Sequence, residues 1–447
     1  MNRLEADAEA KAREDLEKIF YAAIAAVDPA RLIDRALSGE LQRGGDIPAL
    51  IQDAGRIFLV AIGKAAAAMA AELERHLTGK LADAIAVIPA PGTAAAEAAL
   101  AQTKILIGAH PVPDRSSVAA ASAATAMLRQ ARAEDLVIVA LSGGASAMFA
   151  APAAGISLED KVAVTRSLLN AGAPIREFNL VRKHLSAVKG GNLLRACGGA
   201  RVLGLILSDV PGNDLATIGS GLTTGDPSTF GDAIAVLKRR GVWGRAPEAV
   251  RDHLELGAAG DIPETVKPGD PLLDRVINVI IGDNRAALSA AADAAKNLGY
   301  APEPGRELRG EADEAGRLLA SDLCSASRNR VCILAGGEPV VSVHGNGRGG
   351  RAQQCALAAA IEFDRVVPDQ KIAVLFAGTD GVDGPTDAAG AFASPSTIAR
   401  GESAGADAAM ALARNDAYNF FLKEGGLFRP GPTGTNVSDL AIALVNY

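Results

Sequence analysis

Residues 136–141 (LVIVAL) form an unbroken apolar run, and Ser142, Gly143, Gly144, Ala145 and Ser146 follow at once before a helical pattern begins. Six apolar residues in a row suit a strand buried on both faces, as in a parallel sheet covered by helices. Small residues at the strand-to-helix turn leave backbone N–H groups uncovered. Those donors, with the positive end of the helix dipole, can hold a phosphate. The plain alternative is a tight turn that uses glycine for its backbone angles. The unit recurs. Residues 56–62 (RIFLVAI) run into Gly63 and Lys64, and 202–207 run into Ser208 and Asp209. Residues 276–281 reach Gly282 and Asp283, 331–335 reach Gly336, Gly337 and Glu338, and 372–377 reach GTDGVDGPTDAAG. Charged residues just past strand ends favour ligand-binding turns, because open α/β sheets bind ligands beyond the carboxyl ends of their strands.

A chain of 447 residues is too long for one core, so two α/β domains are expected. The proline-rich stretch PETVKPGDP suggests the boundary, giving domains 1–270 and 271–447. A net charge of −7 argues against a nucleic-acid partner, which would leave a basic footprint. No apolar run reaches the length of a membrane span, and the charged N-terminus lacks a signal-peptide core. Four cysteines without a C-x-x-C pair fit a reduced, cytoplasmic protein without structural zinc. Residues 1–40 read as amphipathic helices that pack or cap.

Several basic and acidic positions carry chemistry. Lys64 stands where a helix begins, a placement unfavourable by up to about 1 kcal/mol and relieved by an anion bound between the two. Residues 176–195 contain Arg176, Arg182, Lys183, Lys189 and Arg195. A solvated helix face is the bland reading, yet Arg182 and Lys189 are seven apart and would share a face able to neutralise phosphates. Ser157 and Asp160 form a capping box. The polar, glycine-rich stretch 208–230 is long enough to be functional.

Gly345, Gly347 and Gly350 fit G-x-G-x-x-G, preceded by an extended segment at 339–343 and followed by a helix. This is the competitor for a dinucleotide site. Arg348 and Arg351 would crowd a pyrophosphate there, and residues 370–379 hold no acid to bind a ribose. An arginine-bearing glycine loop is better suited to clamp a carboxylate or phosphate. Walker A, H-E-x-x-H and G-x-S-x-G patterns are absent. Glycine turns, basic side chains and strand-end aspartates are what phosphoryl transfer needs.

The segments AIGKAAAAMA, HPVPDRSS, LSGGASAM, REFNLVRKHLSAVKGGNL, LSDVPGNDLATIGSGLTTGDPSTF, AGGEPVVSVHGNGRGGRAQQ, AGTDGVDGPTDAAGA and PTGTNVSDL resemble those of the glycerate 2-kinase family (class II glycerate kinases). Its members often carry hydroxypyruvate reductase names. The resemblance implies a Rossmann-like N-terminal domain with a parallel sheet, a smaller C-terminal α/β domain, and an active site in the inter-domain cleft. It implies phosphorylation of D-glycerate at the 2-hydroxyl by ATP and Mg²⁺, giving 2-phosphoglycerate and ADP. Its implied catalytic residues are Lys64, Asp209 and Arg351. Ser142, Gly143, Gly144 and Ser146 would hold nucleotide phosphates. Lys64, Arg348 and Arg351 would bind substrate, and Asp209, Asp380 and Asp383 would serve the metal. Glu338 would support them, and Asp387 reads as a loop cap. A homodimer is compatible with the resemblance. The rival activity is an NAD(P)H-dependent hydroxypyruvate reductase. A non-catalytic anion-binding module is the other alternative, and it leaves Asp209 and Asp380 unexplained.

Overall fold

Residues 3–41, 45–90, 98–325, 330–366 and 370–447 are described by the computed structural model. The chain divides into two compact units, Pro29–Ile281 and Met1–Asp28 joined with Gly282–Tyr447.

In the first unit, β1 (Ile57–Ile62), β2 (Leu81–Ile88), β3 (Lys104–Ile107), β4 (Leu136–Leu141), β5 (Arg201–Leu207) and β6 (Val276–Gly282) form one sheet. Their order is β3–β2–β1–β4–β5–β6. The pairs β2–β3, β1–β2, β1–β4 and β4–β5 are all parallel. β1 and β4 are buried at every residue, which is why both read as uninterrupted apolar runs. The chain winds outward from β1 to β3, then returns to place β4 on the other side of β1. The winding therefore reverses between β1 and β4, the kind of place where open α/β sheets bind ligands. Register sets Ile62 beside Leu141 and Leu141 beside Ile206, so the carboxyl ends of β1, β4 and β5 share one edge.

In the second unit, β7 (Ala301–Pro304), β8 (Val331–Gly337), β9 (Ile372–Gly378), β10 (Gly390–Ala393), β11 (Leu427–Phe428) and β12 (Asp439–Val445) form a mixed sheet. Its order is β11–β10–β9–β12–β8–β7. β12 is fully buried and antiparallel to both neighbours. Its first residue, Asp439, therefore faces the last residues of β8 and β9, Gly337 and Gly378.

The units differ from a division at residue 270 in two respects. The helix Arg3–Ala26 packs on the helix Asn284–Asn297 and on β9 and β12. Tyr300 Oη donates to Asp15 (3.1 Å), and Thr435 Oγ1 donates to the Val27 carbonyl (2.6 Å). The helix's apolar face, Leu16, Ile19, Phe20 and Ala23, is wholly buried, but an amphipathic pattern does not say which core will bury it. β6 lies beyond the expected boundary yet pairs into the first sheet, held there by Asn278, which exchanges hydrogen bonds with Thr223 (2.7 and 3.1 Å).

One local expectation also changes. Residues 339–343 form no strand and only one isolated bridge, Glu311 to Val340. The helix Arg115–Leu128 is capped by Asp114, whose carboxylate accepts from the N–H groups of Ser116 and Ser117. The Ser157–Asp160 capping box forms as read. No helix among the described residues is long and apolar enough to cross a membrane.

Candidate active site

Lys64, Ser142, Gly143, Gly144, Ser146 and Asp209 all lie at the carboxyl edge of the first sheet. The turn after β1 is stitched to the turn after β4. Lys64 N–H donates to the Gly143 carbonyl (2.9 Å), and Ala65 N–H donates to Ser142 Oγ (3.0 Å). The Lys64 side chain is exposed at this seam. Gly63 makes the approach feasible: its φ is +124°, and a Cβ there would lie 2.5 Å from the Ser142 carbonyl oxygen and 2.8 Å from that of Gly143. Gly63→Ala is expected to part the two turns and cost about 2 kcal/mol, from backbone strain plus the clash. A thermal melt of the variant checks this. Asp209 is half-buried just past β5, one strand over from Ser142.

The long loop after β5 packs back onto the β4 turn. Ser220, in a left-handed backbone conformation (φ +60°), places its hydroxyl 2.7 Å from Ser146 Oγ and 3.3 Å from Asn179 Oδ1. Arg182 and Lys189 also meet at Ser146, where both donate to its carbonyl (3.2 and 2.8 Å). They do not meet through helical spacing. The helix Ile175–His184 ends five residues before Lys189, and the chain folds back to bring the ammonium in. A cavity of about 400 Å³ in this unit is lined by Lys183, His184, Phe230, His253 and Thr265, among others, and by none of Ser142–Ser146.

The second unit carries its own constellation at the Asp439 end of β12. Arg351 opens the helix Arg351–Val366. Its Nε and Nη2 donate to the two Asp439 oxygens (2.6 and 3.1 Å), and its Nη1 donates to Glu338 (2.6 Å). Burial disfavours the guanidinium's charge, but Asp439 and Glu338 outweigh that and hold its pKa above the ordinary value. Arg348 is tethered differently, stacked 4.3 Å from the Tyr418 ring centroid and donating Nε to the Pro385 carbonyl (3.2 Å). Asp380 is half-buried past β9, and its Oδ1 accepts from Val382 N–H (3.2 Å). Asp387 ties down its loop, accepting from Tyr418 Oη (2.7 Å) and Arg429 Nε (3.1 Å).

Asp383, expected to serve the metal, also has a structural role. Its two oxygens accept from the N–H groups of Ala352 (3.1 Å) and Gln353 (2.8 Å), so the carboxylate caps the helix that Arg351 opens. Burial, with the charge of Asp439 adding, pushes its pKa up to about 7. The G-x-G-x-x-G glycines are occupied by the protein itself. A side chain at Gly347 would lie 2.6 Å from the Arg414 carbonyl oxygen, and one at Gly350 would strike the Asp383 carboxylate. With no strand before it, this turn lacks the strand–turn–helix context of a dinucleotide site.

A family model described as a domain of unknown function (DUF4147) matches residues 15–255, and one described as the MOFRL family matches residues 331–439. A glycerate 2-kinase of Pyrococcus horikoshii is 39% identical over 399 residues, 88% of this chain and 88% of its own. The chain belongs to the glycerate 2-kinase family. A protein of Agrobacterium vitis with the provisional name hydroxypyruvate reductase is 38% identical over 97% of this chain and 94% of its own. The crystal structure of a glycerate kinase from Thermotoga maritima superposes with a TM-score of 0.83 at 35% identity, covering 98% of this chain and 100% of that one.

Against that family background, Asp439 and Lys161 stand out as residues the sequence reading passed over. The signal for Asp439 was a carboxylate opening the wholly apolar run LAIALV. Lys161 is treated below. Among the described residues, one His/Asp/Glu trio could approach a metal geometrically: Asp34, Glu72 and His76. It lies at the far end of the helix Ala66–His76 from Lys64, about 16 Å along the axis. Arg75 already bonds Glu72 and sits 3.6 Å from Asp34, so that trio is charge-matched by an arginine.

Proposed function

We propose that this protein transfers the terminal phosphoryl group of ATP to the 2-hydroxyl of D-glycerate, giving 2-phosphoglycerate and ADP. The observation that carries the reading is the seam between the β1 and β4 turns. There an exposed lysine and a glycine-rich turn are joined backbone to backbone at the reversal of a parallel sheet. The strand order supports a Rossmann-like assignment for this unit, and the relatives named above act on glycerate by their names.

In this reading Ser142, Gly143, Gly144 and Ser146 hold the nucleotide phosphates. Lys64 meets the transferring group, whose charge is spread over its equatorial oxygens in the transition state. Arg351 and Arg348 orient the acceptor's carboxylate. Mg²⁺ is usually held by one or two carboxylates plus substrate phosphates, and when bound it neutralises phosphate charge. Asp209 and Asp380 suit that donor set; Asp383 is in addition committed to capping a helix, with each oxygen accepting from a backbone N–H group. In this reading Asp209 binds Mg²⁺ or orients the glycerate hydroxyl, and Asp380 is the alternative base or metal ligand.

The test is purified protein with ATP, Mg²⁺ and D-glycerate, coupled to enolase, which consumes only the 2-phospho product. Sustained formation of phosphoenolpyruvate is the expected result. ADP without it would mean a different acceptor position, and no ADP release would remove the activity. Oxidation of NADH or NADPH by hydroxypyruvate in the absence of ATP is not expected.

A further inference from the structure

Behind Ser146 lies a group of cations that the roles above do not use. Lys189 is completely buried, and its ammonium donates to the Ser146 carbonyl (2.8 Å), Ser146 Oγ (2.9 Å) and the Gly219 carbonyl (3.4 Å). Arg182 reaches the same Ser146 carbonyl from the helix Ile175–His184, with its guanidinium 5.0 Å from the Phe178 ring centroid. Lys161 projects from the helix Leu158–Asn170 and is 3% exposed. Its ammonium has no hydrogen-bond partner among the described residues. Lys183 completes the group and forms its one salt bridge among the described residues, 3.4 Å from Asp226.

Carbonyl and hydroxyl oxygens accept hydrogen bonds from Lys189 and Arg182 but do not cancel their charge. Gathering like charges away from water is costly unless an anion joins them. The same crowding lowers the pKa of both buried lysines. Burial first, and repulsion by Arg182 second, pull Lys161 down to about 7. Burial and the charges of Arg182, Lys161 and Lys183 bring Lys189 well below its ordinary value. Ser146 and Arg182 are both partly exposed, so the group is reachable from the β4 turn.

We propose that Lys161, Arg182 and Lys189 form the floor of a phosphoryl-binding subsite that opens at Ser146, and that a phosphoryl group of the nucleotide or of the phosphorylated product supplies the balancing negative charge. This rests on reading the β4 turn as a phosphate site, and it adds the side chains that make the site selective for a multiply charged group. Lys161 is the informative member. If it were a packing residue, removing its ammonium would loosen the fold. If it waits for an anion, a methionine of similar length should leave the ligand-free protein as stable or more so and weaken phosphoryl binding.

The experiment measures binding of ADP, 2-phosphoglycerate and inorganic phosphate by calorimetry, with thermal melts, on the full-length protein and its K161M and R182Q variants. The expected result is an unchanged or raised melting temperature for K161M without ligand. With it should come binding of ADP or 2-phosphoglycerate weakened by about tenfold or more, roughly 1.4 kcal/mol. An effect on ADP alone assigns the subsite to the phosphoryl donor, and an effect on 2-phosphoglycerate alone assigns it to the product. Wild-type affinities for all three probes in both variants overturn the proposal, as does a clear fall in the melting temperature of K161M. If the unmodified protein turns over glycerate while the variants bind as it does, the subsite falls and the kinase reading stands. If the unmodified protein neither binds these probes nor turns over, both fall.

Discussion

Replacing Arg351 with alanine is expected to damage stability and turnover together. Asp439 is buried at the start of a central strand, and its two oxygens accept hydrogen bonds from Arg351. Removing one partner of a buried pair leaves the other charge uncompensated, at a cost of about 3–5 kcal/mol. For a unit of this size that corresponds to a fall of roughly 10 °C in melting temperature. Turnover should fall by at least about tenfold, because the same guanidinium is assigned to the acceptor. The two effects can be separated. Arg351→Met combined with Asp439→Leu removes both charges and should recover most of the lost stability while turnover stays low. Recovery of turnover in the double variant would show that Arg351 matters only for holding Asp439.

Replacing Lys64 with alanine is expected to do the opposite: a large loss of rate with an unchanged fold. Its side chain is exposed, and alanine keeps the backbone N–H bond to the Gly143 carbonyl that joins the two turns. Stability should therefore move by no more than about 0.5 kcal/mol. Removing one charge-stabilising group from a transition state commonly costs about a hundredfold in kcat, near 2.7 kcal/mol. Lys64→Arg keeps the charge and should fall between the two. Steady-state rates beside thermal melts read both quantities, and wild-type turnover in Lys64→Ala would take the lysine out of the site. The contrast with Arg351 is instructive. One cation is tied to a buried and an exposed carboxylate and so carries structure, whereas the other presents an exposed side chain from a turn fixed through its backbone.

The strands and turns of the first unit were readable because each depends on a local rule. A buried parallel strand needs an unbroken apolar run, and the turn after it needs small residues; residues 136–146 display both. Asp383 shows where local reading stops. As a sequence it is one more aspartate in a loop, whereas in the fold it faces the first N–H groups of a helix that begins 32 residues earlier. The G-x-G-x-x-G match failed for a related reason. Glycine permits close approach, and the pattern does not record whether a ligand or another part of the chain comes close.

By itself the sequence determined the two α/β sheets, the glycine turn after β4, the lysine after β1 and the family to which the chain belongs, since all of these are written in contiguous residues. Only the tertiary structure decided that the β1 and β4 turns are sewn together, that the N-terminal helix joins the second unit, that Asp439 clamps Arg351, and that Lys161 is buried beside Arg182. Each of these depends on strand order or on which apolar face covers which core. Those outcomes are set by packing among residues tens to hundreds of positions apart, where no local pattern carries the information.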